Sequence, residues 1–334
     1  MREGKKGQIG HAPLSEAREK DMTKVSLVTG AAGFLGSHLS EALLQGGYRV
    51  IGLDSFTEYY SKGLKRRNLL RLTHRNFKFV KGDLATCKLG SLLKRVDYVF
   101  HFAAQPGVRD SWGETFSSYV HNNIVATETL LRAASKSHIE RLIFASSSSV
   151  YGSSLQLPTP EEAPTVPISP YGITKLSSEL LCRAYSRTFG VPIVILRFFT
   201  AYGPRQRPDM AFHRFISDIS NGRRIVVYGD GKQSRDFTFV KDAVRAASLA
   251  INAPVDSVLN VGTGVSTSVN VVVELIESLT GYTAKLEHRE APPGEARNTC
   301  ADISRAKSTL GYSPQTTLRD GLRAQIDWQL KGRG

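Results

Sequence analysis

Cysteine is scarce in this chain: three residues, Cys87, Cys182 and Cys300, in 334. They are odd in number and far apart, so they form neither a metal-ligand spacing nor a disulfide framework. This usage fits a reducing compartment, and a cytoplasmic protein is expected. No apolar run approaches the roughly 18 residues of a membrane span, which excludes a membrane-spanning helix. Residues 1–21 are polar and lack an apolar leader core, so they read as a disordered extension. Acidic residues are outnumbered, 30 against 44 Lys and Arg, leaving a net charge of +14. The cations are spread along the chain and interleaved with carboxylates, which argues against nucleic acid and for a small anionic ligand. His101 and His213 have no third ligand at metal spacing, so no metal is expected.

What remains is ordinary soluble composition, 41% apolar and 22% charged, enough for one to two domains. The informative stretch is Val25-Ser-Leu-Val-Thr-Gly30-Ala-Ala-Gly33-Phe34-Leu35-Gly36. An apolar run ends in three spaced glycines and a helical pattern follows. Glycine permits a tight strand-to-helix turn and close approach of backbone to a phosphate. The helix then offers free N–H groups and the positive end of its dipole. Asp54 follows a second apolar run, where a Rossmann unit places the carboxylate that binds the adenosine ribose. A carboxylate there repels a 2′-phosphate, so NAD is expected rather than NADP. The spacing is G-x-x-G-x-x-G rather than G-x-G-x-x-G, so the reaction must be read elsewhere.

Further strands are expected at Phe77–Val80, Tyr98–Phe102, Arg141–Ala145, Val191–Arg197 and Val258–Gly262. Helical patterns cover Thr115–Ser135 and Tyr171–Phe189. Asp83 sits at a strand end and is placed to accept from the adenine amino group. Leu157–Pro170 is proline-rich and is expected to be a surface loop. Ile225–Val240 reads as short strands around a Gly229-Asp230-Gly231 turn. The alternation of strand and helix gives an α/β fold, a doubly wound parallel sheet of Rossmann type. A smaller, partly interleaved α/β domain is expected to close over its carboxyl edge. The boundaries are 22–200 with about 237–263 for the NAD-binding domain, and 201–236 with 264–331 for the substrate domain.

Tyr171-Gly-Ile-Thr-Lys175 places a phenol and an ammonium on one helix face. The Lys charge, together with the cationic nicotinamide, is expected to lower the tyrosine pKa and so favour a general base. The serine run Ser146–Ser149 precedes this pair at a strand end.

Taken together, Gly30, Gly33, Gly36, Asp54, Asp83, Ser147, Tyr171 and Lys175 resemble the extended short-chain dehydrogenase/reductase family of sugar-nucleotide epimerases and dehydratases. The likeness runs from about Lys24 to the C-terminus. It implies oxidation of a sugar C4 by NAD, with Ser147 on the 4-hydroxyl beside the tyrosine base. It implies an NAD site of Gly30, Gly33, Phe34, Leu35, Gly36, Asp54, Asp83, Leu84, Phe102, Ala103, Ala104, Asn122, Ala145, Tyr171, Lys175 and Phe198. It also implies a homodimer through the two long helices.

Family dehydratases carry an acidic pair after the Ser/Thr position, and decarboxylases a Glu two residues after it. This chain has Ser148 and Ser149 there, which leaves 4-epimerisation. The segments around Asp54–Lys65, Ala103–Arg109 and Arg197–Ala211 are similar to those of UDP-glucuronate 4-epimerases. UDP-glucose epimerases usually carry Asn where Thr200 stands. The expected substrate set is Gln105, Val108, Arg109, Ser147, Ser148, Ser149, Tyr171, Thr200, Arg207, Arg235 and Glu295. Glu295 matches the acidic position that meets the uridine ribose. Pro292 replaces a cation common there, so Arg289 or Arg297 is expected to substitute. The alternatives are a UDP-glucose or UDP-N-acetylglucosamine 4-epimerase, a UDP-glucuronate decarboxylase and a non-catalytic NAD-binding regulator.

Overall fold

The structure, a computed structural model, describes residues 23–331. The extension expected over residues 1–21 lies outside the described residues. In chain order the elements are β1 (Val25–Thr29), α1 (Phe34–Gln45), β2 (Arg49–Asp54), α2 (Lys62–Leu70), β3 (Phe77–Lys81), α3 (Leu89–Leu93) and β4 (Tyr98–His101). Then come α4 (Phe116–Tyr119), α5 (Ala126–Ala134), β5 (Arg141–Ser147), α6 (Pro170–Phe189), β6 (Ile193–Phe198) and β7 (Thr200–Tyr202). The rest comprises α7 (Ala211–Ser220), β8 (Arg224–Tyr228), β9 (Ser234–Phe239), α8 (Val240–Leu249), β10 (Val258–Val261) and β11 (Ser266–Ser268). Last are α9 (Val269–Thr280), β12 (Lys285–Arg289), α10 (Ser304–Leu310) and α11 (Leu318–Lys331).

Seven strands form one parallel sheet in the order β10-β6-β5-β4-β1-β2-β3. Strands buried on both faces read as continuous apolar runs, and β6 (Ile-Val-Ile-Leu-Arg-Phe) is buried at every position. The order reverses between β1 and β4, and Thr29 lies opposite both Leu53 and His101. Ligands of open α/β sheets bind at such a switch point, beyond the carboxyl ends of the strands. A buried cluster runs without a break from Val28 and Phe100 in this sheet to Ile225, Ile276 and Ile326 in the remainder of the chain. No helix among the described residues is long and apolar enough to cross a membrane.

β8 and β9 flank the expected Gly229–Gly231 turn but do not pair with each other. β8 pairs with β12, and β9 lies between β7 and β11. The helical stretch expected over Thr115–Ser135 is α4 and α5 joined by a π-helical segment, Val120–Val125. Such insertions in a helix re-aim side chains. Here Asn123 is turned into the core, where Oδ1 accepts from Gln105 N at 2.7 Å and Nδ2 donates to Thr174 Oγ1 at 2.9 Å.

The loop over Leu157–Pro170 departs from a purely superficial course. Thr159 is buried, and its N–H donates to Cys300 O at 2.8 Å. Glu161 Oε1 accepts from Asn260 N at 2.8 Å. The polar groups that mark this stretch as a turn are satisfied by the edge of the sheet, which draws its first half inward.

Candidate active site

The glycine turn joins β1 to α1 at the switch point. Gly30 has φ +71°, and a Cβ there would stand 2.9 Å from Ala103 N. A Cβ on Gly36 would stand 2.1 Å from Gly30 O, so the first turn of α1 closes only over glycine. Gly33 is the helix N-cap in extended conformation and provides no side chain to cap the free N–H groups behind it. At the end of β2, Asp54 Oδ2 accepts from Ala32 N at 3.1 Å and Oδ1 from Phe56 N at 2.8 Å. These bonds fix the carboxylate against the glycine turn.

These elements open onto a cavity of about 350 Å³. Every residue of the expected NAD set lines it, from Gly30 to Phe198. Of the expected substrate residues, Val108, Ser147, Ser148, Ser149, Tyr171, Thr200 and Arg207 line the same cavity. Asp83 accepts from Ala85 N at 2.9 Å through Oδ1, and Oδ2 pairs with His121 Nε2 at 2.8 Å. Burial acts to raise the Asp83 carboxyl, but these bonds hold it below its ordinary value.

β5 delivers Ser147 to the cavity, and a 3₁₀ turn over Ser148–Tyr151 follows. Ser147 Oγ accepts from Ser149 N at 3.1 Å and lies 3.1 Å from Ser149 Oγ. α6 starts beside this turn, capped by Ser169 Oγ, which accepts from Gly172 N at 3.1 Å. A Cβ on Gly172 would stand 2.6 Å from Ser149 O, which explains the small residue inside Y-G-I-T-K. Tyr171 is thereby placed beside the Ser147 hydroxyl, which acts on its phenol.

In the protein alone, without the cationic nicotinamide that the expectation also named, Lys175 is not among the groups that lower the Tyr171 phenol. Burial raises the Tyr171 phenol, and the opposing influences are the Ser147 hydrogen bond and the Arg207 charge. Lys175 is instead buried over the Phe144 ring, 4.4 Å from its centroid. Burial pushes its ammonium down to about 8, with Cys182 and Glu179 resisting. Among the described residues, no acceptor hydrogen-bonds Lys175 Nζ.

Four expected substrate residues lie outside the cavity wall. Gln105 is buried and held by Asn123. Arg109, Arg235 and Glu295 form their own cluster. Arg109 Nε meets Glu295 Oε1 at 2.5 Å and Arg235 Nη2 meets Oε2 at 3.5 Å. The Arg109 guanidinium stacks 4.2 Å from the Tyr228 ring centroid. Arg289 and Arg297, the expected substitutes for the cation that Pro292 replaces, are both engaged with other carboxylates. Arg289 pairs with Glu287 at 2.7 Å and Arg297 with Asp230 at 2.9 Å, while the partners of Glu295 come from the loop after β4 and from β9.

Sequence reasoning missed Lys65, Tyr59 and Tyr60 as lining residues. Lys65 Nζ donates to Thr57 O and Oγ1, both at 3.0 Å, and Asn68 Nδ2 donates to Ala32 O at 3.0 Å. The signal was a polar i, i+3 pair, Lys65 and Asn68, on the buried face of α2.

The description "NAD dependent epimerase/dehydratase family" belongs to a family model that matches residues 26–262. The chain belongs to this family. An uncharacterised UDP-glucose epimerase of Bacillus subtilis strain 168, YtcB, is 48% identical over 304 residues, covering 90% of this chain and 96% of that protein. A UDP-glucuronate 4-epimerase of Thermodesulfobacterium geofontis is 36% identical over 310 residues, covering 90% and 95%. The crystal structure of a UDP-glucuronic acid 4-epimerase from Bacillus cereus, in complex with UDP-glucuronic acid and NAD, superposes with a TM-score of 0.90. It is 43% identical, and the match covers 92% of this chain and 99% of that one. This epimerase/dehydratase chain thus shares the whole architecture of its relatives, the part after residue 262 included.

Proposed function

We propose that the protein is a UDP-sugar 4-epimerase that interconverts UDP-glucuronate and UDP-galacturonate with NAD. The observation that carries the reading is the serine turn. Ser147, Ser148 and Ser149 share a cavity with Tyr171 and Thr200, and no carboxylate replaces them beside the base. Water elimination and decarboxylation are thus left without the acidic groups that family dehydratases and decarboxylases carry. The nearness in sequence and structure of UDP-glucuronate 4-epimerases supports the same substrate.

The cavity fits a dinucleotide on its own residues. The uncapped start of α1 supplies N–H donors to a pyrophosphate. Asp54 retains acceptor capacity for a ribose diol, and the Lys175 ammonium, 4% exposed and without an acceptor in the wall, suits a second diol. When bound there, NAD would supply a hydride acceptor and donor for C4. In this reading Tyr171 holds the proton of the 4-hydroxyl, and Ser147, beside it, orients the exchange. Ser148, Ser149 and Thr200 donate to the C6 carboxylate. Arg207, tied to Asp209 by bonds of 3.0 and 2.8 Å, faces the substrate's anionic part. The Arg109–Glu295–Arg235 cluster holds the nucleotide end, with Glu295 on the uridine ribose. Residues 201–236 and 264–331 supply most of that half and act as the substrate domain, and 22–200 with 237–263 as the NAD-binding domain.

A second reading, 4-epimerisation of UDP-glucose, follows from the name of the Bacillus subtilis relative. Thr200 and the serine turn argue for the uronate. The homodimer belongs to the proposal, supported by Ile173 and Leu180, apolar residues 49% and 59% exposed on α6. A cytoplasmic location is supported by three free cysteines. UDP-glucuronate deuterated at C4 tests the mechanism: the UDP-galacturonate formed keeps its deuterium in ordinary water. Washout of the label overturns hydride return.

A further inference from the structure

A second cavity of about 510 Å³ lies between α2, the loop over residues 203–210 and α11. Its wall carries Arg67, Arg71, Arg205, Arg207 and Lys331 against a single carboxylate, Asp327. Arg205 is paired with Glu41 and Arg207 with Asp209. Arg67, Arg71 and Lys331 form no ion pair with any described residue. Arg205 is buried with φ +66°, a conformation a non-glycine residue adopts only when its surroundings impose it. Like charges gathered around one concavity raise the local concentration of anions and favour their binding.

Tyr60 and Arg207 line both this cavity and the active-site cavity.

We infer that this basic cavity is a second ligand site, for a small phosphorylated molecule. The phosphate lies against Arg67 and Arg71. Arg207, shared between the two cavities, couples occupancy here to substrate affinity. The site is separate from the substrate's own phosphate contacts, which lie across Tyr60 and Arg207.

The test is isothermal titration of glucose 1-phosphate into NAD-loaded protein whose substrate site is saturated with UDP, at about 0.15 M salt to screen diffuse attraction. The expected result is one saturable site per chain, weakened at least tenfold in an Arg67→Ser/Arg71→Ser variant. Both residues are exposed, so the variant should fold and keep its turnover without added sugar phosphate. Saturating glucose 1-phosphate should also raise the KM for UDP-sugar at least twofold in the unsubstituted protein and not in the variant. No saturable binding, or equal affinity in the variant, overturns the site.

Discussion

Arg197 and Glu179 form a bidentate ion pair in the interior. Nε meets Oε1 at 3.0 Å and Nη2 meets Oε2 at 2.8 Å, with side chains 3% and 1% exposed. Glu179 also accepts from Ser146 Oγ at 2.5 Å, and Arg197 Nη1 donates to Tyr151 OH at 2.9 Å. The pair ties together the three elements that deliver the reacting groups. β5 ends in Ser147, α6 carries Tyr171 and Lys175, and β6 leads to Thr200. Breaking one partner of such a pair leaves an uncompensated buried charge, at a cost of about 3–5 kcal/mol.

Glu179→Gln should therefore lower the urea unfolding free energy by about 3–5 kcal/mol. It should also move the pH profile. Glu179 is one of the charges that hold the Lys175 ammonium up against burial, so its loss lowers that pKa further from about 8. If protonated Lys175 is needed, the alkaline fall of kcat then begins at lower pH. A loss of stability with an unmoved alkaline limb would show that the pair is only a structural tie.

Acid should destabilise the fold from an unusually high starting pH. His101 is buried between Thr29 Oγ1 at 2.8 Å and Thr127 Oγ1 at 2.9 Å, and burial pushes its pKa from 6.5 to about 3. His38 bonds Pro204 O at 2.9 Å and is pushed from 6.5 to about 4 by burial, then by Arg205. Both folded-state values lie below the unfolded one, so the unfolded chain binds these protons first. The stability due to the neutral rings is complete above pH 6.5 and is lost as pH falls through about 4 and then about 3. Each contributes a slope of up to about 1.4 kcal/mol per pH unit in that window. Urea midpoints should be nearly level above about pH 6.5 and fall from there to pH 5, and His101→Gln should flatten that fall by close to one proton. An equal slope in that variant would assign the acid sensitivity elsewhere.

The carboxylate of a 4-ketouronate is prone to leave as CO₂ when it aligns with the ketone π system. Hydroxyls at Ser149 and Thr200 can hold it out of line without a full counter-charge. Ser149→Ala and Thr200→Val should each increase the UDP-pentose fraction several-fold, measured by chromatography of the products. Unchanged product purity would remove these hydroxyls from that role.

The parallel sheet was legible because strands buried on both faces announce themselves as apolar runs, as in Ile193–Phe198. That the glycine turn, the carboxylate at the next strand end and the Y-x-x-x-K helix line one cavity was legible because each is a local pattern. Contacts between distant segments were not. Glu295 meets Arg109 across 186 positions, and nothing in the C-terminal segment points to that cation rather than to Arg297 nearby. The groups of the protein that act on the tyrosine were hidden for a related reason. Four-residue spacing places Lys175 on the same helix face, but packing sends its ammonium over Phe144 and leaves Ser147 and Arg207 to act on the phenol.

The most direct measurement is proton NMR of the purified protein incubated with UDP-glucuronate and no added NAD. The account predicts UDP-galacturonate, approached equally from either epimer, at a rate cut at least about a thousandfold by Tyr171→Phe. Turnover of UDP-glucose alone, with UDP-glucuronate untouched, would contradict it.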